Sequence, residues 1–507
     1  MVVMETLLKN ILTARVYDVA QRTPLDVAET LSTTCNNNIF LKREDLQPVF
    51  SFKLRGAFNR ISHLNEEERA RGVICASAGN HAQGVALSAK HLGIQATIVM
   101  PRTTPQIKVR AVKRLGGEAV LSGDNYSEAY EHCKTLIDKT GQVFIHPFND
   151  PLVIAGQGTV GHEILQQCPD VDYVFVPIGG GGLISGIAGF LKSVHPHAKI
   201  IGVEPEDSDA MSQSLAAGKR VILDEVGIFA DGVAVKEVGD LTFQIVSQFV
   251  DEVVIVSTDE TCSAIKSIYE DTRSIMEPAG ALAVAGLKKY LKANNISGKN
   301  VVAVNSGANM NFERMQFVAE RTLTGERQEA LFAVTIPEKP GALKFFCETL
   351  VGDRAITEFN YRLSSRKDAH IFVGISISND QERASFLEQL HQHNFLAEDM
   401  TDNDLAKTHV RHMVGGKSAE LNREVLYTFE FPERPKALSD FLVAMKSGNE
   451  NWNISLFHYR NHGGDFGRGL VGFEIPEGDG SKFKKFLDDL HYGHHEETDN
   501  PAYKLFL

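Results

Sequence analysis

The sequence predicts an α/β fold built on a mostly parallel sheet, followed by two small α+β domains in tandem. Two observations carry that reading. From about Val16 to Gly307, short β-branched runs alternate with amphipathic helical stretches, the rhythm of strand, turn and helix that builds parallel sheets. From Glu329 onward the texture changes, because the chain repeats itself. The length of 507 residues agrees, since ~150 residues per domain suggests about three domains.

The strand candidates of the first region include Gly72–Ser77, Gln95–Met100 and Tyr173–Pro177. Each is a near-continuous apolar run, as suits a strand buried on both faces. A glycine-containing turn and a helical pattern follow each one. Arg314–Gln328 is polar and helical in pattern, which predicts a connecting helix.

In the repeat, Glu329–Leu343 matches Glu424–Leu438, and Ile356–Arg362 matches Ile454–Arg460. Phe372–Gly374 then matches Leu470–Gly472, Phe386–Leu390 matches Phe486–Leu490, and Thr401-Asp402-Asn403 returns as Thr498-Asp499-Asn500. A period of about 95 to 100 residues is too long for a solenoid unit and suits two copies of a small domain. Each copy reads strand, helix, strand, strand, helix, strand, the ferredoxin-like βαββαβ order. The pairs Pro337/Pro340 and Pro432/Pro435 end a strand and open a helix. The expected domains are 1–325, 326–418 and 419–507.

Composition narrows the function. Lys+Arg 52 against Asp+Glu 65 leaves a formal net charge of -13. That balance argues against nucleic acid or an anionic membrane as partner. Six scattered cysteines with no C-x-x-C pair exclude a zinc ribbon or thioredoxin-like motif and fit a reducing compartment. No run of 18 apolar residues suggests a membrane span, and no targeting pattern opens the chain. The expected location is cytoplasmic. His494-His495 lacks further ligands at suitable spacing and reads as a surface turn, so no metal is expected.

Four segments carry chemistry. In Ser51-Phe52-Lys53-Leu54-Arg55-Gly56, Ser51 is a suitable N-cap. Lys53 then falls in the first helical turn, where the helix dipole disfavours a cation. Partial desolvation there would lower its pKa and make it a better nucleophile towards a carbonyl carbon. Taken alone, the fragment reads as an ordinary solvated lysine. Ser77-Ala78-Gly79-Asn80-His81 follows a strand and opens a helix, a place where backbone amides bind a carboxylate. Asn80 adds a side-chain donor, and a plain strand–helix connection capped by Asn is the other reading. Gly179-Gly180-Gly181-Gly182-Leu183 lets the backbone approach a ligand at a helix N-terminus, where a phosphate is the natural guest. It is neither a dinucleotide fingerprint nor a P-loop. Ser306, in Val304-Asn305-Ser306-Gly307-Ala308-Asn309, offers a hydroxyl after an apolar run; by itself Ser-Gly is only a turn.

Together and in this order, the four segments resemble the fold-type II (tryptophan synthase β-like) pyridoxal-phosphate enzymes. Within these they resemble the biosynthetic threonine dehydratases, from about Val16 through Lys504. The resemblance implies that Lys53 binds pyridoxal 5'-phosphate covalently and returns as the base that takes the substrate α-proton. It implies that Phe52 packs near the cofactor ring, that Gly179, Gly180, Gly181, Gly182 and Leu183 cradle the phosphate, and that Ser306 meets the ring nitrogen. Asn80 would lie beside the ring oxygen, with Ser77, Ala78, Gly79, Asn80 and His81 holding the substrate carboxylate. Glu277-Pro278-Ala279-Gly280-Ala281 matches a family segment with a structural or ring-edge role. Related serine racemases carry a second serine where this chain has Ala78. A methyl group cannot move a proton, so Ala78 favours elimination over racemisation.

The tandem tail resembles the ACT-like regulatory domains of the same family. It implies isoleucine as inhibitor, valine as its opponent and a homotetramer. Phe359, Tyr361, Phe457 and Tyr459 are the candidate effector-facing residues; core packing of these strand residues is the alternative. The implied reaction converts L-threonine to 2-oxobutanoate and ammonia at the head of isoleucine synthesis. Serine lacks only a methyl group, worth ~1–3 kcal/mol in a pocket, so some serine dehydratase activity is expected. Two competing readings remain: another β-elimination or β-replacement enzyme of the same fold, and a non-catalytic amino-acid sensor. The intact lysine, glycine loop and serine argue against the sensor.

Overall fold

The structure is a computed structural model and describes residues 2–337, 345–352, 354–363, 368–412, 424–432, 440–441, 444–445, 452–460 and 466–506. The chain divides into two compact units, Met1–Val318 and Ala319–Leu507. Among the described residues, no helix is long and apolar enough to cross a membrane.

The first unit carries ten strands: β1 (Leu25–Val27), β2 (Asn38–Arg43), β3 (Val73–Ala76), β4 (Ala96–Met100), β5 (Glu118–Leu121), β6 (Val143–Phe144), β7 (Tyr173–Pro177), β8 (Lys199–Pro205), β9 (Glu252–Val256) and β10 (Asn300–Asn305). They form a six-stranded sheet in the order β1-β2-β10-β7-β8-β9 and a four-stranded sheet in the order β5-β4-β3-β6. Only β1 runs antiparallel. Both faces of each sheet are covered. Val174, Val176, Ile200, Val302 and Val304 enter one core of the large sheet. Phe175, Ile201, Val203, Val301 and Ala303 enter the other. Alternate residues therefore need apolar side chains on both sides, which is why these strands read as unbroken apolar runs.

The helix carrying Lys53 spans Lys53–Ser62, and its N-cap is Phe52 rather than the expected Ser51. Ser51 instead bridges Gly307 through its backbone. That contact holds it out of the helix, and its buried hydroxyl is left without a partner. Neighbouring helices, Asn80–Leu92 and Pro151–Gln167, approach closely through glycine. A Cβ at Gly84 would lie 3.2 Å from the Lys53 carbonyl oxygen, and one at Gly156 would lie 2.6 Å from that of Arg55.

Arg55 anchors this helix from below. Its guanidinium meets Glu44 at 2.8 Å and Glu163 at 2.6 Å, and Glu163 also meets Lys42 at 2.6 Å. All four side chains are fully buried. Burial works against the Arg55 charge, but the two carboxylates outweigh it and hold its pKa above the ordinary range. Two cations facing two anions meet the condition for burying charge.

The second unit holds β11 (Glu329–Pro337), β12 (Ile356–Leu363), β13 (Asp368–Ser376), β14 (Leu396–Asp399), β15 (Glu424–Pro432), β16 (Asn453–Arg460), β17 (Phe466–Glu474) and β18 (His494–Glu496). Two antiparallel sheets result, β12-β13-β11-β14 and β16-β17-β15-β18. The same order appears twice, as the repeat predicts. Helices Asp380–Gln392 and Gly480–Leu490 supply Phe386 and Phe486 to equivalent cores. The opposite sheet faces share a third core, where Leu331, Ala333 and Phe372 of one copy meet Leu426 and Leu470 of the other.

The repeated Thr-Asp-Asn triplet has a physical task. The Leu331 amide donates to Thr401 Oγ1 at 3.0 Å, and the Leu426 amide donates to Thr498 Oγ1 at the same 3.0 Å. Asn403 Oδ1 accepts from the Ala406 amide, and Asn500 Oδ1 from the Ala502 amide. Each triplet thus ties a strand to the short helix that follows. The expected connecting helix spans Arg314–Gly325. Pro337 and Pro432 end β11 and β15, whereas Pro340 and Pro435 lie outside the described residues. His494 and His495 stand on an edge strand rather than in the expected turn.

Candidate active site

Three of the four chemistry-bearing segments sit at carboxyl ends of parallel strands, where ligands bind in open α/β sheets. Ser77–His81 follows β3 of the small sheet; Gly179–Gly182 follows β7 and Ser306 follows β10 of the large sheet. The fourth, at Lys53, joins them through the backbone. The Phe52 amide donates to the Ser306 carbonyl at 3.2 Å, and the Ala308 amide to the Phe50 carbonyl at 2.9 Å. Lys53 and Ser306 are thereby tied to one short two-chain ladder.

Lys53 is the first residue of its helix. Its Nζ donates to the Pro147 carbonyl at 3.1 Å and lies 5.2 Å from the centre of the Phe52 ring. The residue is half-buried, and protein crowds the ammonium. Burial lowers its pKa from 10.5 to about 8, with Glu277 pulling weakly the other way. Nearby imidazoles stay neutral. Burial first, and then the Lys53 charge, lower His81 to about 3. His146 falls to about 4, mainly through burial. His81 Nε2–H donates to the Ile145 carbonyl at 2.8 Å. His146 Nδ1 accepts amides from Phe148 and Asn149 at 3.2 and 2.8 Å.

The Ser77–His81 loop holds itself open at the start of helix Asn80–Leu92. Ser77 Oγ accepts the Gly79 amide at 3.3 Å. Asn80 is clamped on both sides: Nδ2 donates to Glu277 Oε1 at 2.5 Å, and Oδ1 accepts from Asn309 Nδ2 at 2.6 Å. One Nδ2 hydrogen remains for a ligand. Burial, with a smaller push from Asp231, raises Glu277 to about 7. Asp231 lies 2.8 Å from Lys108 and 3.2 Å from Arg314. A Cβ at Gly307 would press on this clamp, lying 2.5 Å from Glu277 Oε1.

The four-glycine turn opens helix Gly182–Val194, with Gly181 at φ +90° as its N-cap. A Cβ at Gly180 would lie 2.3 Å from the Phe148 ring, and one at Gly179 would lie 2.9 Å from Val233. Thr242 Oγ1 donates to the Gly180 carbonyl at 2.6 Å and braces the turn. Leu183 is buried beneath it. Ser306 is buried with its hydroxyl 3.4 Å from the Ala279 carbonyl.

These residues fit pyridoxal phosphate. The glycine turn and helix N-terminus suit a phosphate dianion. A lysine of lowered pKa suits an aldehyde, and a neutral hydroxyl suits a pyridine nitrogen. The buried Asn305 amide and Ser51 hydroxyl, each without a partner among the described residues, border the same place.

Sequence reasoning left Asn309 unassigned and missed Phe148, Thr242 and Arg55's partners. Asn309 lies inside a quoted segment, but its target is 229 positions away in the chain. Phe148 and Thr242 carry no local signal. In the second unit, the side chains of Phe359, Tyr361 and Tyr459 lie outside the described residues. Their backbones pair with Val373, Ile371 and Gly469. Phe457 is 38% exposed, its ring 6.0 Å from Phe431.

Comparison with known proteins agrees with this geometry. Residues 16–307 match the family described as pyridoxal-phosphate dependent enzyme. Residues 320–410 and 415–507 each match the C-terminal regulatory domain of threonine dehydratase. A curated relative, the biosynthetic L-threonine dehydratase IlvA of Burkholderia multivorans, is 55% identical over 99% of this chain and 99% of its own. Among solved structures, the processed form of threonine deaminase isoform 2 from Solanum lycopersicum superposes with a TM-score of 0.62 at 50% identity. It covers 63% of this chain and 93% of that one. Maize serine racemase superposes at 0.58 with 35% identity, covering 63% and 97%. The first unit is therefore a fold-type II pyridoxal-phosphate enzyme. The whole chain belongs to the biosynthetic threonine dehydratases, lyases with a C-terminal regulatory region.

Proposed function

We propose that the chain converts L-threonine to 2-oxobutanoate and ammonia as the first step of isoleucine synthesis, and that isoleucine inhibits it while valine opposes isoleucine. The observation that supports this is the set of contacts that bring Lys53, Asn80, Ser306 and the Gly179–Gly182 turn near one another, on a chain whose tail matches the regulatory domain twice. Catalytic residues 1–325, a first regulatory domain 326–418 and a second 419–507 are the proposed division.

Pyridoxal phosphate, when bound, supplies the electron sink for the substrate carbanion. Every other task falls to the chain. The amides of Gly179, Gly180, Gly181 and Gly182, with Leu183, would hold its phosphate, Phe52 would pack beside its ring, and the neutral hydroxyl of Ser306 would serve its ring nitrogen. The Ser77–His81 loop, Ala78 and Gly79 included, would receive the substrate carboxylate at the start of helix Asn80–Leu92, and Asn80 adds its second Nδ2–H. The Lys53 amine removes the α-proton, a task that its lowered pKa supports. The β-hydroxyl leaves as water, and hydrolysis of the released enamine gives 2-oxobutanoate and ammonia. Ala78 has no group that can move a proton, which favours elimination over the racemisation for which the maize relative is named. Some serine turnover follows, because one methyl group discriminates weakly.

Phe359, Tyr361, Phe457 and Tyr459 are the proposed effector-facing residues of the tail. A homotetramer in the cytoplasm completes the reading, with regulation as a coupling of typically ~1–3 kcal/mol between states. The test is 2-oxo-acid formation from L-threonine by purified holoenzyme, with and without isoleucine. Formation that isoleucine suppresses is expected. Formation insensitive to isoleucine would reject the regulatory half. No formation by cofactor-loaded protein would point to β-replacement with a second substrate.

A further inference from the structure

An asparagine side chain can turn over at almost no cost in shape, because its oxygen and its NH2 group are alike in size and opposite in hydrogen bonding. Which of the two Asn80 offers to a ligand therefore depends on its neighbours. Glu277 favours the NH2 group, which donates to its Oε1 at 2.5 Å. The second neighbour is Asn309, whose Nδ2 donates to Asn80 Oδ1 at 2.6 Å. Asn309 could turn over as readily, but its Nδ2 also donates to the Val49 carbonyl at 2.8 Å. A carbonyl oxygen accepts and never donates. Both hydrogens of Asn309 Nδ2 are thus committed, one to Val49 and one to Asn80.

The Val49 carbonyl is itself held in place. Val49 is buried with Val16, Ala20 and Leu54. The next residue, Phe50, stands at φ +56°, a conformation that a residue with a Cβ keeps only where its surroundings over-determine it. Two backbone bonds do so. The Phe50 amide donates to the Gln47 carbonyl at 2.7 Å, and the Phe50 carbonyl accepts from the Ala308 amide at 2.9 Å. Asn309 follows Ala308, so the ladder that ties Lys53 to Ser306 also delivers the Asn309 side chain to Val49. An inverted Asn80 would set N–H against N–H at Asn309 and oxygen against carboxylate at Glu277. Each mismatch would leave polar groups unsatisfied in a half-buried place.

We propose that Asn309 is a positioning residue of this enzyme: anchored on the Val49 carbonyl, it fixes the Asn80 amide so that the remaining N–H, and not the oxygen, is offered to the ring oxygen of the cofactor. This rests on the reading above that puts Asn80 beside that oxygen. The ring oxygen is electron-rich and accepts a hydrogen bond, whereas the Asn80 carbonyl in the same place would repel it. Asn309 acts through Asn80, by holding one rotation of its side chain.

Asn309→Asp keeps the shape and replaces the donor by acceptors. An ordinary aspartate titrates at roughly 3.9, so at about pH 8 the new side chain is a carboxylate. It takes an N–H from Asn80 and turns that amide over. Full-length protein is dialysed to equilibrium against pyridoxal phosphate and, separately, against the analogue that lacks the ring hydroxyl. The ratio of the two affinities measures the bond to the ring oxygen. That preference is expected to shrink on the order of tenfold, the worth of one hydrogen bond to a charged group. Asn309→Leu, similar in size and without charge, frees the Asn80 amide instead of inverting it. It is expected to give a smaller loss of the same preference, and it decides the matter if the aspartate variant does not fold. Equal loss of affinity for both compounds, or an unchanged affinity for both, would show that Asn309 only supports the fold and would overturn the proposal. Asn80→Ala is the control on the underlying reading. If it lowers the preference while neither Asn309 variant does, only the role of Asn309 falls. If it leaves the preference unchanged, Asn80 does not serve the ring oxygen, and both readings fall together.

Discussion

In the first unit all strands but β1 run parallel, with both faces of each sheet buried. In the second they run antiparallel, each sheet giving one face to helices and the other to its twin. The difference decides where chemistry can sit. Parallel strands send all their carboxyl ends to one edge, so loops distant in sequence converge there. Ser77–His81, Gly179–Gly182 and Ser306 meet in that way. Antiparallel strands offer no common edge. The second unit instead varies its twofold plan residue by residue: the repeat places Arg383 where the other copy has Phe483. One unit concentrates function by topology; the other varies side chains within a repeated frame.

Four perturbations sharpen this contrast, from the largest effect to the smallest. Lys53→Ala attacks the convergent edge directly. Turnover of L-threonine is expected to fall by at least on the order of 10²–10⁴-fold, with loss of the lysine-linked cofactor absorbance. Normal activity in this variant would defeat the assignment.

Arg55→Ala tests the support beneath that edge. It leaves Glu44 and Glu163 buried around a lost cation, and breaking such a network costs about 3–5 kcal/mol. Urea unfolding should show the first unit's transition moving to lower denaturant while the second unit's stays in place. Movement of both together would mean that the units unfold as one.

The pH response of Lys53 comes next. Its neutral form is the nucleophile, and burial brings its pKa down from 10.5 to about 8. Below that value the neutral fraction gains about tenfold per pH unit. Capture of added pyridoxal phosphate by cofactor-free protein should accelerate up to about pH 8 and then level. A rate still climbing towards pH 10 would show a lysine no different from a solvated one.

The smallest effect concerns the repeat. Asn403→Ala removes the cap on helix Asp404–Thr408 and the contact to Asn500 at 3.2 Å. A loss of about 1 kcal/mol is expected, confined to the second unit's transition in urea. No change would mean that the Thr-Asp-Asn triplets are held by Thr401 and Thr498 alone.

Much of this molecule was legible in one dimension. The strands Val73–Ala76, Ala96–Met100 and Tyr173–Pro177 were readable because burial on both faces demands unbroken apolar runs. The two regulatory copies were readable because they say the same thing twice. The Lys53 helix was placed correctly, but its cap was not. Ser51 has the right chemistry for an N-cap, yet its backbone is claimed by Gly307 from the far end of the unit.

What the sequence determined by itself was therefore local and periodic: the kind of each element, the order of elements and the residues able to do chemistry. Such features follow from nearest-neighbour sterics and the alternation of apolar groups. Only the tertiary structure decided which of those residues meet. It set Asn80 between Glu277 and Asn309, crowded the Lys53 ammonium until its pKa fell, and buried Arg55 between Glu44 and Glu163. Desolvation and charge pairing depend on every atom within a few ångströms, and most of those atoms arrive from elsewhere in the chain.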